Sequence, residues 1–360
     1  MSVSRETLLN CLDAYVHPLI GRGLVAAGAV REAQPEKDHV RVHVELGFPA
    51  AGIRETLLAE LAAHVGRSLG VDAALALSWR VEAVGLRKNL QALPGVRNLI
   101  AVSSGKGGVG KSTVAANLAL ALAAEGARVG VLDADIYGPS QPQMLGLAGQ
   151  RPDSPDGKRM HPLQAYGLQV MSIGFLVDDD QPMIWRGPMA TQALNQLLGE
   201  TIWDDLDYLV VDMPPGTGDI QLTLSQRMPV AGAIIVTTPQ DIALLDARKG
   251  LQMFRRVEIP VLGIVENMAW HVCSQCGHHE AIFGEGGGAR MAAQYGSELL
   301  GQLPLELRIR EQADRGKPTV AAEPDSELAQ RYRDIARLAA ARLAYGLPAN
   351  VFPSIEISDD

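Results

Sequence analysis

The fold is decided by Gly105-Lys106-Gly107-Gly108-Val109-Gly110-Lys111-Ser112, a glycine-rich segment of this 360-residue chain. It satisfies the phosphate-loop pattern G-x-x-x-x-G-K-[ST], in which glycines let successive backbone N–H groups surround phosphate oxygens. An apolar run at residues 99–103 predicts a strand before the loop, and a helical pattern opens after it at Ser112. Strand, loop and helix in this order are the context that the pattern needs, so they disfavour a chance glycine-rich turn.

The loop residues have distinct predicted roles in binding Mg·ATP. We expect the Lys111 ammonium to reach the β and γ phosphates and the Ser112 hydroxyl to bind Mg²⁺. The dipole of the helix that follows adds to the attraction for anions. The predicted nucleotide-binding residues of this segment are Gly105, Lys106, Gly107, Gly108, Val109, Gly110, Lys111, Ser112 and Thr113.

Beyond residue 98 the sequence alternates short apolar runs with helical patterns. The runs lie at 99–103, 129–133, 168–173, 208–212, 233–238 and 261–266, and the helical patterns include 113–125, 244–257 and a final helix at 327–343. Apolar runs without alternation are typical of strands buried on both faces. We therefore predict an α/β fold, a doubly wound and mostly parallel sheet of the P-loop NTPase kind.

A small α+β domain is predicted at residues 1–84, with the element order α-β-β-α-β. Residues 40–46 alternate at period two, residues 53–69 have helical periodicity, and residues 75–84 are expected to form the last strand. A linker at 85–97 then leads to the ATPase domain at 98–346, and residues 347–360 form an acidic tail.

Composition limits the classes of protein to consider. Hydrophobic residues make up 47% and charged residues 20%, which excludes disorder for most of the chain. The net charge of −9 disfavours nucleic-acid binding, because such binding relies on clustered cations. We find no signal peptide and no apolar run of the roughly 18 residues that span a membrane, so we expect a cytoplasmic protein without a membrane partner.

Acidic residues end two of the predicted strands. Asp212 follows an apolar run, where an acid is well placed to bind Mg²⁺, often through a water. Asp133 and Asp135 end another run. Because ligands of open α/β sheets gather at the carboxyl ends of the strands, we expect these acids to lie near the phosphate loop. An acid that only caps the next helix is the ordinary alternative.

Cys273 and Cys276 form a C-x-x-C pair, and Cys11, on a predicted helix face, is expected to be a core residue. A structural zinc site needs four ligands, for which His271, His278 or His279 would have to contribute, although the last two follow Cys276 too closely for a standard finger. A redox pair normally begins a helix, whereas this pair lies in a Gly/His-rich segment. The remaining alternative is half of a site that a second chain completes.

Lys106 gives the phosphate loop a second lysine, and the segment closely resembles the deviant Walker A group of MinD, ParA and the nitrogenase iron protein. In those relatives the extra lysine crosses a dimer interface to the partner's nucleotide and stabilises transition-state charge. The resemblance therefore implies an ATP-sandwich homodimer. It also implies that Lys106, Lys111, Asp135 and Asp212 carry hydrolysis, with Asp135 orienting the attacking water.

Several further segments make the resemblance specific to the Mrp/ApbC family of iron–sulfur cluster carriers. They are DADIYGPS (133–140), RGP (186–188), DMPPGTGD (212–219) and ENM-x4-C-x2-C (266–276). The resemblance implies slow ATP hydrolysis, a [4Fe–4S] cluster held by Cys273 and Cys276 across the dimer, and transfer to apo iron–sulfur proteins. Cluster-assembly proteins are implied as further partners, and Asn267 is implied to contact adenine.

The N-terminal unit is similar to a small domain found in many members of that family and alone among iron–sulfur assembly factors. It departs from the pattern at His17-Pro18, where Asp-Pro is common, and it lacks the cysteine that some stand-alone relatives carry. These departures disfavour a direct metal role for the domain. Two other functions remain: a MinD- or ParA-like spatial organiser, which the acidic tail and net charge disfavour, and a P-loop ATPase with structural zinc.

Overall fold

The computed structural model describes residues 3–85, 87, 90–176, 187–273 and 275–346, with the side chains of Gly187 and Pro188 excepted. Arg186 of the RGP segment, part of the predicted linker and the acidic tail at 347–360 lie outside these residues. Among the helices that are described, none has the length and apolar composition needed to cross a membrane.

Helices and strands alternate through most of the described chain. The helices are Arg5–Ala14 (α1), Arg54–Leu69 (α2), Lys111–Ala124 (α3), Gln141–Met144 (α4), Gly187–Glu200 (α5), Asp219–Arg227 (α6), Asp241–Arg256 (α7), Gly287–Gln294 (α8), Leu307–Asp314 (α9), Thr319–Ala322 (α10) and Glu327–Tyr345 (α11). The strands are Val30–Pro35 (β1), His39–Leu46 (β2), Asp72–Trp79 (β3), Val96–Ser104 (β4), Val129–Asp133 (β5), Leu163–Ala165 (β6), Leu168–Ser172 (β7), Leu206–Asp212 (β8), Val230–Thr237 (β9), Val261–Glu266 (β10), His271–Val272 (β11), His279–Glu280 (β12) and Leu299–Gln302 (β13).

The N-terminal unit has the predicted α-β-β-α-β order. Its sheet has the order β1-β2-β3 in the described residues, with β1 antiparallel and β3 parallel to β2. The apolar side of β2 is buried as its alternation predicts, and Cys11 is buried in the core. The predicted strand at 75–84 is wrong in its bounds, because the chain leaves the sheet after Trp79 and the Val84 N–H instead donates to the Asn98 side chain.

The larger sheet has eight strands among the described residues, in the order β13-β10-β9-β4-β8-β5-β7-β6. Neighbouring strands are parallel except for β6, which is antiparallel to β7 at the edge. The central strands β5, β8, β9 and β10 are buried along their whole length, as their apolar runs predict. The doubly wound, mostly parallel α/β fold is therefore confirmed.

The N-terminal unit is attached to the far end of α3, the helix that begins at the phosphate loop. The N–H of Gly52 donates to the buried Glu125 carboxylate at 2.9 Å, and Arg337 of α11 pairs with the same carboxylate at 3.1 Å. A Cβ at position 52 would lie 2.6 Å from Glu125 Oε1, so a larger residue would have to displace this carboxylate. The contact gives a buried charge the hydrogen bonds that it needs.

Candidate nucleotide and metal site

The phosphate loop connects β4 to α3 and depends on its glycines. Gly108 and Gly110 both have φ near +81°, a left-handed conformation that favours glycine. A Cβ on Gly105 would lie 2.1 Å from the backbone of Asp246 in α7. By contrast, the space above Gly107 and Gly108 is open to at least 4 Å. The loop is therefore packed tightly on its protein side and open on the side where phosphates would lie.

Lys111 forms a buried ion pair with Asp212 directly below the loop. Its Nζ also donates to Ser112 Oγ at 3.2 Å and lies 3.8 Å from Asp135 Oδ2. Hard oxygen donors from three segments therefore converge on one point, and such donors are the ligands that Mg²⁺ prefers. The structure brings Lys111, Ser112, Asp135 and Asp212 together, as the sequence predicts, and these residues fit an Mg²⁺–nucleotide.

Gln141 is a site residue that the sequence reasoning missed. Its Nε2 donates to Asp212 Oδ2 at 2.9 Å and to the Ser112 carbonyl at 3.0 Å. The side chain is fully buried and fixes the Asp212 carboxylate opposite Lys111. The only available signal was its place directly after the DADIYGPS segment, which does not reveal where the amide points.

Asp133 supports the loop that carries Asp135. Its carboxylate accepts hydrogen bonds from the backbone N–H groups of Asp135, Ser140 and Gln141, and from Ser172 Oγ, at 3.0–3.1 Å. Burial and the nearby Asp212 charge raise the pKa of Asp133 to about 7, against the effect of those donors. Burial also raises the pKa of Asp135.

The DMPPGTGD segment runs beside the phosphate loop from the end of β8 to the start of α6. The N–H of Met213 donates to the Val102 carbonyl, and the N–H of Gly216 donates to the Ser104 carbonyl, both at 3.0 Å. Gly216 has φ near +99°, which permits the turn. The segment is thus held against the end of the strand that leads into the phosphate loop.

Lys106 lies at the mouth of the loop and is half-buried. Its carbonyl accepts a hydrogen bond from Ser104 Oγ at 2.9 Å, which fixes its backbone. The Lys106 ammonium forms no ion pair with the residues that the structure describes. This geometry leaves the lysine available to reach outward, and its role across a dimer stays a prediction.

Asn267 follows β10 and contacts the phosphate loop. Its Nδ2 donates to the Val109 carbonyl at 2.9 Å, and its backbone N–H donates to the Thr237 carbonyl at 2.8 Å. The predicted contact with adenine stays a prediction. What the sequence did not reveal is that Asn267 holds the loop itself.

Cys273 and Cys276 lie in a two-stranded hairpin of β11 and β12, which we name the cysteine hairpin (residues 271–280). Its turn is closed by 2.9 Å hydrogen bonds from Cys273 N to the His278 carbonyl and from Gly277 N to the Cys273 carbonyl. The N–H groups of Gln275 and Cys276 lower the pKa of the Cys273 thiol, which favours the metal-binding thiolate.

The cysteine hairpin presents an incomplete set of metal ligands. Within the described ranges, no group of three or more His, Cys, Asp or Glu side chains is close enough to bind one metal ion. His271 is instead hydrogen-bonded through Nδ1 to the Leu305 carbonyl at 3.0 Å. Cys273 is partly exposed and Cys276 is exposed, so both can meet groups from another molecule.

The fold and the loop geometry define a P-loop NTPase, and comparison with known proteins gives its family. Residues 95–340 match the protein-family model of the NUBPL iron-transfer P-loop NTPases. Residues 5–76 match the family model of an iron-sulfur cluster assembly protein. The chain belongs to the NUBPL iron-transfer P-loop NTPase family. The resemblance to iron–sulfur cluster carriers is confirmed.

Individual relatives match this chain in sequence over two thirds or nearly all of its length. The chain is 54% identical over 340 residues to the iron-sulfur cluster carrier protein of Salmonella typhimurium, covering 94% of this chain and 92% of the relative. It is 42% identical to that of Deinococcus radiodurans, covering 94% and 95%. A solved nucleotide-binding protein from Archaeoglobus fulgidus, in complex with ADP, has a TM-score of 0.58 and 38% identity, covering 66% of this chain and 92% of that one.

Proposed function

We propose that this chain is an ATP-binding iron–sulfur cluster carrier that holds a [4Fe–4S] cluster across a homodimer and passes it to apoproteins. The observation that carries the proposal is a cysteine pair, Cys273 and Cys276, in the chain segment that follows β10 and begins at Asn267, which hydrogen-bonds the phosphate loop. The family membership and the names of the relatives support the carrier function.

We also propose slow ATP hydrolysis at the nucleotide site, coupled to cluster loading or transfer. Lys111 binds the β and γ phosphates, while Ser112 and Asp212 hold Mg²⁺, directly or through water. Asp135 orients the attacking water, and Lys106 of the partner chain stabilises the charge of the transition state. Gly105, Gly107, Gly108, Val109, Gly110 and Thr113 form the rest of the phosphate cradle, and Asn267 reaches towards the base.

A homodimer completes the metal site. One chain supplies two thiolates and a cubane cluster takes four, so a twofold axis through the cysteine hairpin supplies the full complement. Exposed apolar side chains on α7 support such an interface: Ile242 is 69% exposed and Leu245 is 53% exposed. The same helix contacts Gly105 through Asp246, so an interface here also borders the nucleotide.

We assign the contacts with protein partners to the assembly-type domain at residues 1–84, which residues 85–97 link to the ATPase domain at 98–346. Apo iron–sulfur proteins and cluster-assembly proteins are the partners, in the cytoplasm. The net charge of −9 supports protein partners over nucleic acid or membranes.

Metal analysis of anaerobically reconstituted protein tests this function. We expect four iron and four sulfide per two chains, with the dimer mass in sedimentation and visible absorbance from thiolate–iron charge transfer. Zinc in place of iron, with no bound sulfide after reconstitution, would contradict the carrier proposal and identify the cysteine pair as a structural metal site.

A further inference from the structure

Asn267 hydrogen-bonds two separate segments at once. Its side-chain Nδ2 donates to the Val109 carbonyl in the phosphate loop, and its backbone N–H donates to the Thr237 carbonyl at the end of β9. The residue is buried, with 7% of its surface exposed, and a Cβ at Gly110 would lie 2.2 Å from Nδ2. The Asn267 amide therefore lies directly against the backbone of the loop at Gly110.

The hydrogen bond to Val109 sets the direction of a phosphate-binding group. The Val109 carbonyl and the Gly110 N–H belong to one planar peptide, and in a trans peptide these two groups point to opposite sides. By holding the oxygen on the protein side, Asn267 directs the Gly110 N–H towards the open side of the loop. A rotation of that peptide on phosphate binding would therefore change the hydrogen bond between the Val109 carbonyl and Asn267.

A continuous set of contacts connects Asn267 to Cys273, six residues further on. The Ala269 N–H donates to the Leu303 carbonyl at 2.9 Å, and the Trp270 carbonyl accepts from Leu305 N at 2.7 Å. Next, His271 pairs with the same strand-like segment through its backbone and its ring. Cys273 follows directly in the closed hairpin.

Two further features make this connection stiff. The Arg331 guanidinium of α11 lies over the Trp270 ring, with its Cζ 5.0 Å from the ring centroid. This cation–π contact holds Trp270 against α11. Met268 has φ near +57°, so the backbone turns sharply directly after Asn267. The backbone between Asn267 and Cys273 is therefore held against neighbouring segments at several points, which leaves little slack between the two residues.

We propose that Asn267 is a positioning residue that couples phosphate occupancy of the loop to the geometry of the cysteine hairpin. This inference rests on the proposed function, because it gives the thiols of that hairpin their metal-binding role. Asn267 orients the Gly110 N–H for the nucleotide and transmits the state of the loop to Cys273. Its amide need not touch the base for this role.

The test measures alkylation of Cys273 and Cys276 by iodoacetamide, followed peptide by peptide in the cluster-free full chain. Saturating Mg²⁺ with a non-hydrolysable ATP analogue should change the wild-type rate by about fivefold, the size expected from one hydrogen bond. Asn267→Ala should lose this response while nucleotide still binds at saturation. Asn267→Asp, which keeps the shape but cannot donate to Val109, should lose it as well.

Gln302→Ala is the matched control, because it removes an amide donor to the neighbouring Glu266 and leaves the Val109 contact intact. It should keep the wild-type response. The proposal is overturned by a wild-type protein without the response, or by Asn267 variants that keep it. Asn267 variants that lose the preference for ATP over GTP but keep the nucleotide-dependent change in alkylation would also overturn the proposal. That result would assign Asn267 to contact with the base alone. Failure of the carrier function is seen separately, as missing iron in the reconstituted wild type.

Discussion

The Lys111 ammonium and the Asp212 carboxylate form an ion pair beneath the phosphate loop, with 6% of the Lys111 side chain and none of the Asp212 side chain exposed. The pair is charge-balanced only while both partners are present. In the proposed function, nucleotide binding draws Lys111 towards the phosphates and Asp212 towards Mg²⁺, which separates the two charges.

Lys111→Ala should abolish ATP binding, because it removes the main cation that faces the phosphates. It should also lower the free energy of unfolding of the nucleotide-free protein by about 3–5 kcal/mol, since Asp212 is left buried without a counter-charge. Urea unfolding and equilibrium dialysis with ATP measure the two effects. The double variant Lys111→Ala/Asp212→Asn should regain much of the stability and still fail to bind ATP; wild-type affinity in either variant would contradict the assignment.

Lys106→Ala should bind ATP with near wild-type affinity and hydrolyse it about 100-fold more slowly, the cost of losing one preorganised charge at a transition state. The Lys106 side chain makes no ion pair within the described part of its own chain, and we expect its ammonium to act on a partner's nucleotide. Lys158→Ala, which removes an exposed lysine elsewhere, is the control for turnover measurements. Normal turnover by Lys106→Ala would refute the cross-dimer role.

Much of this site follows from sequence because its chemistry is local. The glycines, Lys111 and Ser112 lie in one segment, and the strand ends bring Asp135 and Asp212 to it. Gln141 could not be predicted, because it acts through a tertiary contact that leaves no periodic or spacing signal. The same reasoning explains why the Asn267 contact with Val109 was missed.

In the fold, too, features encoded within one segment could be predicted, whereas features that depend on tertiary contacts could not. Runs buried on both faces predicted the central strands, because burial alone determines their composition. The edge strand β6 has three residues and β13 has four, which is too short for a pattern to be distinguished from a loop. The residues after Trp79 alternate apolar and charged side chains as a strand does, but β2 ends at Leu46, and in the described chain only Arg80 still donates a hydrogen bond to it.

Asp135→Ala should resemble Lys106→Ala in binding ATP but hydrolysing it slowly. Asp135 lies 3.8 Å from Lys111 Nζ at the edge of the site, so its loss leaves the main Lys111–Asp212 pair intact. Single-turnover hydrolysis measured alongside ATP binding separates the two effects. A variant that hydrolyses at the wild-type rate would show that the attacking water is oriented by another residue.

Asp133 should make the nucleotide-free protein less stable as pH rises. Its pKa is about 7 in the folded protein and 3.8 in the reference state, so the folded state binds the extra proton between these values. The free energy of unfolding therefore falls as pH rises from about 4 to 7, by at most about 1.4 kcal/mol per pH unit from this group. Urea unfolding at pH 5, 6 and 7 measures the slope, and Asp133→Asn should flatten it; parallel slopes for the two proteins would contradict the prediction.

The double variant Cys273→Ser/Cys276→Ser should lose the iron–sulfur cluster and the ability to activate an apoprotein. Serine cannot supply the thiolates that a cluster needs, and the hairpin otherwise keeps its backbone hydrogen bonds. ATP binding should persist, because Lys111, Ser112 and Asp212 are untouched. Iron, sulfide and ATP affinity are measured on one anaerobic preparation of each protein.

Cys11→Ala is the matched control for that experiment, because Cys11 is the remaining cysteine of the chain and is buried in the N-terminal unit. It should keep four iron per two chains. The single variants give a sharper test of the shared site: if two chains contribute two thiolates each, either single serine variant removes two of the four ligands at once. A cluster that survives in the double variant at wild-type content would disprove the bridging geometry, whereas loss in both single variants with an intact ATP affinity supports it directly.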